Sequence, residues 1–222
     1  MTAVAIIVEY QTPDLLELCL ASLKRFAPSV LPLLMPGGPG AERHAAGIEA
    51  AREILKASPV DRVILLDTDT VILSARWAAT LTDERFHLIG GRWDRKGGPF
   101  LHAHCLSLSW WLFCAVPSFQ GKEGSMQFDT AWQATNLATL HRVPMYVISS
   151  RPDGRITEYV DGCERPLWRH LGRGTSFRPR SWEREILRKL AAKLGSPRAR
   201  KILSYQQDRQ EFLRKGWEIV RA

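Results

Sequence analysis

The stretch Val63-Ile64-Leu65-Leu66-Asp67-Thr68-Asp69 constrains this chain most. Four consecutive apolar residues, two of them β-branched, read as a strand buried on both faces. In open α/β sheets ligands bind just beyond the carboxyl ends of the strands, which is where Asp67 and Asp69 fall. If the extended conformation persists, residues i and i+2 point the same way and both carboxylates reach one cation. Hard oxygen ligands suit Mg²⁺ or Mn²⁺, which in turn can hold a diphosphate. The plainer reading makes Asp67 a turn cap and Asp69 a solvated side chain.

The residues before this strand alternate between strand and helix patterns. Val4 to Val8 reads as a buried first strand. Thr12-Pro13-Asp14 predicts a helix start, with Thr as N-cap, Pro at the first helical position and Asp near the positive end of the dipole. Leu15, Cys19, Leu23 and Phe26 recur near helical spacing, and Pro28 ends the helix. Leu31 to Leu34 reads as a second short strand, Pro36 to Gly40 as a loop, and Glu42 to Lys56 as a second helix. Such alternation is the sign of a parallel sheet.

Downstream, Gly90-Gly91 to Gly97-Gly98-Pro99 reads as a second glycine-rich loop and His102 to Ser109 as a strand. Trp110 to Val116 reads as a short buried helix or a strand extension, Phe128 to Leu140 as a helix and Met145 to Ile148 as a strand. Arg151 to Gly174 is expected to be mostly irregular. Helix returns from Ser181, with a break near Gly195-Ser196-Pro197.

At 222 residues with 45% hydrophobic side chains the chain fits one domain, with room for a small appendage. The formal net charge of +8 favours an anionic partner: a nucleotide, a phospholipid surface or nucleic acid. The basic residues cluster towards the C-terminus and no recognition motif accompanies them, so nucleic acid is not an expected partner. Cys19, Cys105, Cys114 and Cys163 are scattered without a Cys-x-x-Cys pair, as in a cytoplasmic protein with reduced thiols. No secretory leader is expected, because the apolar run from Ala3 ends at Glu9 and no basic region precedes it. Leu101 to Val116 is too polar and too short to span a membrane.

Five segments in order carry a resemblance. Val4 to Leu16 resembles an apolar strand and turn followed by a helix. Leu18-Cys19-Leu20-Ala21-Ser22-Leu23 resembles an "x-Cys-Leu-x-Ser-Leu" helix. His44 to Ala51 resembles an "Asn-x-Gly-x-x-x-Ala" segment before the Asp-x-Asp strand. His104 to Ser109 with Leu112 to Phe119 resembles an "Ala-Cys-Leu-Leu…Leu-Phe-x-x-Val-Gly-Gly-Phe" block. Trp168 to Ser176 resembles a late "His-x-Gly-x-Gly-Ser" motif. Together these are similar to the nucleotide-sugar glycosyltransferases of the GT-A fold, in particular the large inverting family 2.

The resemblance implies an α/β, GT-A-like (Rossmann-like) fold: a mostly parallel central sheet flanked by helices, with a helical C-terminal extension. Residues 1–178 would form the transferase domain and residues 179–222 a basic helical extension packed on it. It implies a hexosyltransferase-like enzyme that uses a nucleotide-sugar donor and Mn²⁺ or Mg²⁺. The acceptor, a glycan, a lipid-linked sugar or a protein, stays open.

Asp67, Asp69 and His170 would hold the cation. Asp129 would be the base that takes the proton of the acceptor hydroxyl, with Glu123 as the fallback, because Met126-Gln127 stand where the family has Glu-Asp. On the donor side the expectation names Tyr10, Arg43, Thr68 and Trp93; on the acceptor side, His102, His104 and Trp132. Leu33 to Gly38 lacks the carboxylate with which the family's second strand reads the nucleotide base.

Each residue also has a plainer role. His170 suits a surface histidine beside a loop, Asp129 a helix N-terminus, and the tryptophans core packing. His102 and His104 share a strand face and suit packing, acceptor hydrogen bonding or, with a carboxylate, a metal site. Ile186, Leu187, Leu190 and Leu194 form an apolar stripe beside Arg184, Arg188, Lys189 and Lys193. That pattern suits either peripheral contact with an anionic membrane or packing on the domain with a solvated basic face. Two rival functions are a non-catalytic nucleotide- or carbohydrate-binding module and a sugar nucleotidyltransferase. The second would need a basic glycine-rich phosphate loop, which Tyr10-Gln11-Thr12-Pro13 is not.

Overall fold

The computed structural model describes residues 1–38, 41–95, 98–120, 122–123, 126–127, 131–153, 155–171, 189–190, 193 and 195–222. In chain order these form β1 (Ala3–Glu9), α1 (Pro13–Phe26), β2 (Val30–Pro36), α2 (Ala41–Lys56), β3 (Arg62–Leu66), β4 (Thr70–Ile72) and α3 (Arg76–Leu81). There follow β5 (Leu88–Arg95), β6 (Gly98–Ser109), α4 (Trp110–Ala115), β7 (Lys122–Glu123), β8 (Met126–Gln127) and α5 (Trp132–Leu140). The chain then runs through β9 (Met145–Asp153), β10 (Ile156–Val160), β11 (Pro166–Leu171) and α6 (Pro197–Arg221).

The period-two alternation of β1 and β3 builds two core layers. Val4, Ile6, Val8, Val63 and Leu65 face one side and pack with Ala45, Ile48, Ala51 and Leu55 of α2. Ala3, Ala5, Ile7, Ile64 and Leu66 face the other and pack with Cys19 and Leu23 of α1 and Trp77 and Leu81 of α3. Every residue of β3 is buried, as the unbroken apolar run demands.

Nine strands form one sheet in the order β2-β1-β3-β6-β5-β9-β10-β11-β4. The strand-helix alternation of the first seventy residues does yield parallel pairing of β1 with β2 and with β3. Elsewhere in the sheet, among the described residues, only β5 and β9 pair in parallel; the other five ladders are antiparallel, so the sheet is mixed rather than mostly parallel.

Its curvature follows from one connection. Only Asp67, Thr68 and Asp69 separate β3 from β4, yet the two strands stand six places apart in the order. Six spacings amount to about 29 Å across a flat sheet, whereas the connection reaches about 14 Å. The sheet therefore curls until β4 returns to the end of β3.

Two expectations are corrected. The segment expected to be irregular instead completes β9 at Asp153 and forms β10 and β11, and residues 172–174 lie outside the described residues. β9 is exposed past Ile148, while β10 and β11 set buried Tyr159, Val160, Leu167, Trp168 and Leu171 among polar residues that form cross-strand pairs such as Arg169 Nε to Glu158 Oε2 at 2.8 Å. The second glycine-rich loop is the β5–β6 hairpin, paired from Arg95–Gly98 back through Leu88–Leu108. A Cβ on Gly91 would lie 2.1 Å from Tyr159 Cε1, so glycine there admits a ring across the strand.

The C-terminal helix α6 lies on α1, with Tyr205 and Phe212 in one apolar cluster with Leu15, Leu18, Val71 and Leu171. Arg25 Nη1 donates to the Val220 carbonyl at 2.7 Å. The predicted break stands at Gly195, whose φ is +92°, just before α6 begins. Of the predicted apolar stripe, Leu190 is described and exposed; Ile186, Leu187 and Leu194 lie outside the described residues. No described helix is long and apolar enough to cross a membrane.

Candidate functional site

The Asp-x-Asp segment sits where β3 hands over to β4. The Asp67 N–H donates to the His104 carbonyl at 2.9 Å, carrying the β3–β6 ladder one residue past β3. The chain then turns: Thr70 N–H donates to the Asp67 carbonyl at 3.1 Å, and the Thr70 hydroxyl to the His104 carbonyl at 3.2 Å. The two carboxylates therefore converge through a turn and not through continued extension.

The antiparallel pairing of β11 with β4 sets Leu171 N–H on the Asp69 carbonyl at 2.9 Å and His170 opposite Thr70. His170 Nε2 comes within 3.3 Å of Asp69 Oδ1. Asp67, Asp69 and His170 each offer a ligand atom, and these atoms all lie within 4.8 Å of one another. Asp69 and His170 are nearly buried, whereas about a quarter of the Asp67 side chain reaches solvent (27%).

His44, in the first turn of α2, places Nε2 3.3 Å from Asp67 Oδ1. Burial alone would raise the Asp67 pKa. The His44 hydrogen bond and the nearby His44, His170 and His102 outweigh that and hold the carboxyl well below the usual range. The Cys19 thiol faces the Asp67 carbonyl at 3.8 Å, and burial followed by Asp69 and Asp67 pushes its pKa up, so it stays a thiol.

Three imidazoles line the inner wall. His102 and His104 share the inner face of β6 with ring centroids 4.4 Å apart, and His104 stacks on His170 at 4.2 Å and 18°. Tyr159 and Trp168 stack on each other at 4.7 Å and 9°, with Tyr159 4.7 Å from the His104 ring. His104 is fully buried and neither ring nitrogen has a hydrogen-bond partner among the described residues. Burial, then His170 and His102, drives its pKa well below the ordinary value, so it stands as a neutral ring that braces His170.

The other expected residues are placed as follows. Thr68 is buried and its hydroxyl lies 3.1 Å from that of Thr12. Thr12 does occupy the N-cap of α1, but its side chain makes no cap hydrogen bond, because the hydroxyl is turned to Thr68 instead. Tyr10 is half-buried just after β1, beside Gln11 at φ 54°. Arg43 is exposed on α2, its side chain lying over Gly38. Half-buried Trp132 opens α5. Trp93 pairs with Phe100 in the β5–β6 hairpin, but its side chain lies outside the described residues. Asp129 and the Glu123 side chain also lie outside them.

Sequence reasoning missed His44 and Thr12 as neighbours of the aspartates. A usable signal existed for both: in an α/β unit the helix following a strand begins at the rim where strands end, so first-turn residues of α1 and α2 face that rim.

No known protein family and no curated protein matches the sequence. Among solved structures, the chain is similar to a glycosyltransferase involved in glycosylation of the major capsid of PBCV-1, at 10% identity and TM-score 0.48, covering 67% of this chain and 81% of that one. It is similar to glucosyl-3-phosphoglycerate synthase from Mycobacterium tuberculosis, in complex with Mn²⁺ and UDP-glucose, at 12% and 0.46, covering 88% and 80%. It is also similar to the glycosyltransferase GlyE of Streptococcus pneumoniae TIGR4, at 15% and 0.46, covering 65% of this chain and 44% of GlyE.

Proposed function

We propose that this protein is a glycosyltransferase that moves a sugar from a nucleoside-diphosphate sugar to an acceptor hydroxyl. The observation that carries the reading is the convergence of Asp67, Asp69 and His170 at the carboxyl end of a central buried strand. Two carboxylates and one imidazole, open to solvent on the Asp67 side, suit a divalent cation that keeps positions free for phosphate oxygens. Asp67, Asp69 and His170 Nε2 would hold it, and the imidazole favours Mn²⁺ over Mg²⁺. When bound, such a cation neutralises charge on the departing nucleoside diphosphate.

The chain's own groups do the rest. His44 orients Asp67, and the neutral His104 ring holds His170 in place by stacking. Tyr10, Arg43 and Trp93 serve the donor, with the Thr68–Thr12 hydroxyl pair tying the first turn to the aspartates. His102, the half-buried member of the imidazole stack, and Trp132 serve the acceptor. Asp129 takes the proton of the acceptor hydroxyl while that oxygen attacks the anomeric carbon from the face opposite the leaving group, which inverts the sugar.

The test is a thermal-shift screen of UDP, GDP, dTDP, CDP and CMP, each with and without Mn²⁺. A ligand that binds only the folded state raises the midpoint by mass action. A Mn²⁺-dependent shift that Asp69→Ala removes is the expected result. An Asp69→Ala variant with undiminished shift would overturn the site. Asp129→Asn should keep that shift and lose sugar transfer.

A further inference from the structure

At the other end of the sheet, α3, the 83–86 turn, the start of β9 and the β10–β11 turn border an open cleft of about 380 Å³, within the range of small-ligand sites. Its place follows from register. Arg62 opens β3 five residues before Asp67, and its guanidinium donates to the carbonyls of Asp83 at 3.1 Å and Phe86 at 2.5 Å. Five strand residues put this cleft about 17 Å from the aspartates along the strand.

Phe86 and Tyr146 stack in the cleft with ring centroids 5.2 Å apart. Arg76, Arg85 and Arg165 surround the pair. Arg85 is engaged by Asp83 through Nε and Nη2, at 3.0 and 2.6 Å. Arg165 gives its Nε to Asp161 at 2.8 Å, while the backbone N–H groups of Cys163 and Arg165 occupy the other Asp161 oxygen at 2.9 Å each. Arg76 comes no nearer than 4.0 Å to Asp161. Three guanidinium groups thus meet two carboxylates, leaving net positive charge and N–H donors in excess.

We infer that this cleft binds an anionic saccharide, a sugar ring that carries a carboxylate or a phosphate group. Guanidinium forks match carboxylate and phosphate oxygens. The Phe86–Tyr146 pair offers an apolar surface for the C–H face of a ring. Asp83, Asp161 and the Thr80 hydroxyl suit a ligand that also has hydroxyls, and the carboxylates disfavour the dense charge of nucleic acid. The inference stands independently of the transfer reaction, because the cleft shares no residue with the aspartate site.

The experiment is an NMR titration of the labelled protein, without nucleotide or metal, using glucuronic acid, glucose 6-phosphate, glucose and inorganic phosphate. Glucuronic acid or glucose 6-phosphate should shift the Arg76, Thr80 and Tyr146 resonances saturably; the tighter of the two identifies the charged group. Glucose and inorganic phosphate should bind at least about fivefold more weakly. Arg76→Glu should weaken binding about tenfold. Because Arg76 is half-exposed and its ion pair with Asp161 spans 4.0 Å, that variant should melt near the wild-type temperature. Absence of a saturable shift with either anionic sugar, inorganic phosphate binding as tightly as the sugars, or unchanged binding by Arg76→Glu would each overturn the assignment.

Discussion

His170 Nε2 stands 3.3 Å from Asp69 Oδ1, two side chains brought together by the pairing of β11 with β4. If they share a cation, His170→Ala should weaken Mn²⁺ binding by about 10–100-fold and Asp69→Asn by at least as much. His170→Ala should also narrow the preference for Mn²⁺ over Mg²⁺, since it removes the nitrogen donor. Titration calorimetry with each metal reads both effects, and wild-type affinity in both variants would remove the pair as ligands.

The His44–Asp67 pair makes a separate prediction. His44 reaches Asp67 from the first turn of α2 and so acts through that carboxylate, not on substrate. His44→Ala should therefore weaken Mn²⁺-dependent nucleotide binding by about tenfold, while the melting temperature of the metal-free protein stays near wild type. His44→Gln, which can still donate to Asp67, should recover part of the loss. Equal binding in all three proteins would make the pair incidental.

Gly91 is a packing requirement. A methyl group there would meet Tyr159 Cε1 at 2.1 Å, and that ring is held between Trp168 and His104. Gly91→Ala should destabilise the fold by about 1–3 kcal/mol, the usual range for overpacking. Because the same ring braces His104, the variant should also lose metal affinity. Urea denaturation followed by metal titration measures the two; a neutral effect on both would show that the ring moves aside freely.

Stability should fall at alkaline pH. The Cys19 pKa is raised by burial and then by Asp69 and Asp67. That of Cys105 is raised by burial against the opposing Trp77 N–H, with smaller contributions from Cys19 and Asp67. Both thiols stay protonated when folded but ionise near pH 8.5 when unfolded. The folded state then binds more protons, so unfolding free energy is intact below about pH 8.5 and declines above it, by up to ~1.4 kcal/mol per pH unit for each thiol. Urea midpoints at pH 7.5 and 9.5 give the slope. Replacing both cysteines by alanine should flatten it, and an unchanged slope would assign the effect to other groups.

Much of the first half of the fold was legible in the chain. The buried run Val63–Leu66 could only be a central strand, and the breaks at Pro13, Pro28 and the Pro36–Gly40 segment set the helix and strand limits around it. These are local signals, because periodicity and backbone restriction act within a few residues. They also placed Asp67 and Asp69 at a strand end.

What no local pattern carried was the return of the chain. β11 pairs on one side with β10, its neighbour in sequence, and on the other with the distant β4, and that second register decides that His170 faces Asp69. The curl of the sheet is likewise imposed by a three-residue connection between strands that sit six places apart. So the chain alone marked the aspartates as the chemical end of the sheet. Long-range pairing, whose free energy depends on residues distant in sequence, decided that the histidines of α2, β6 and β11 surround them.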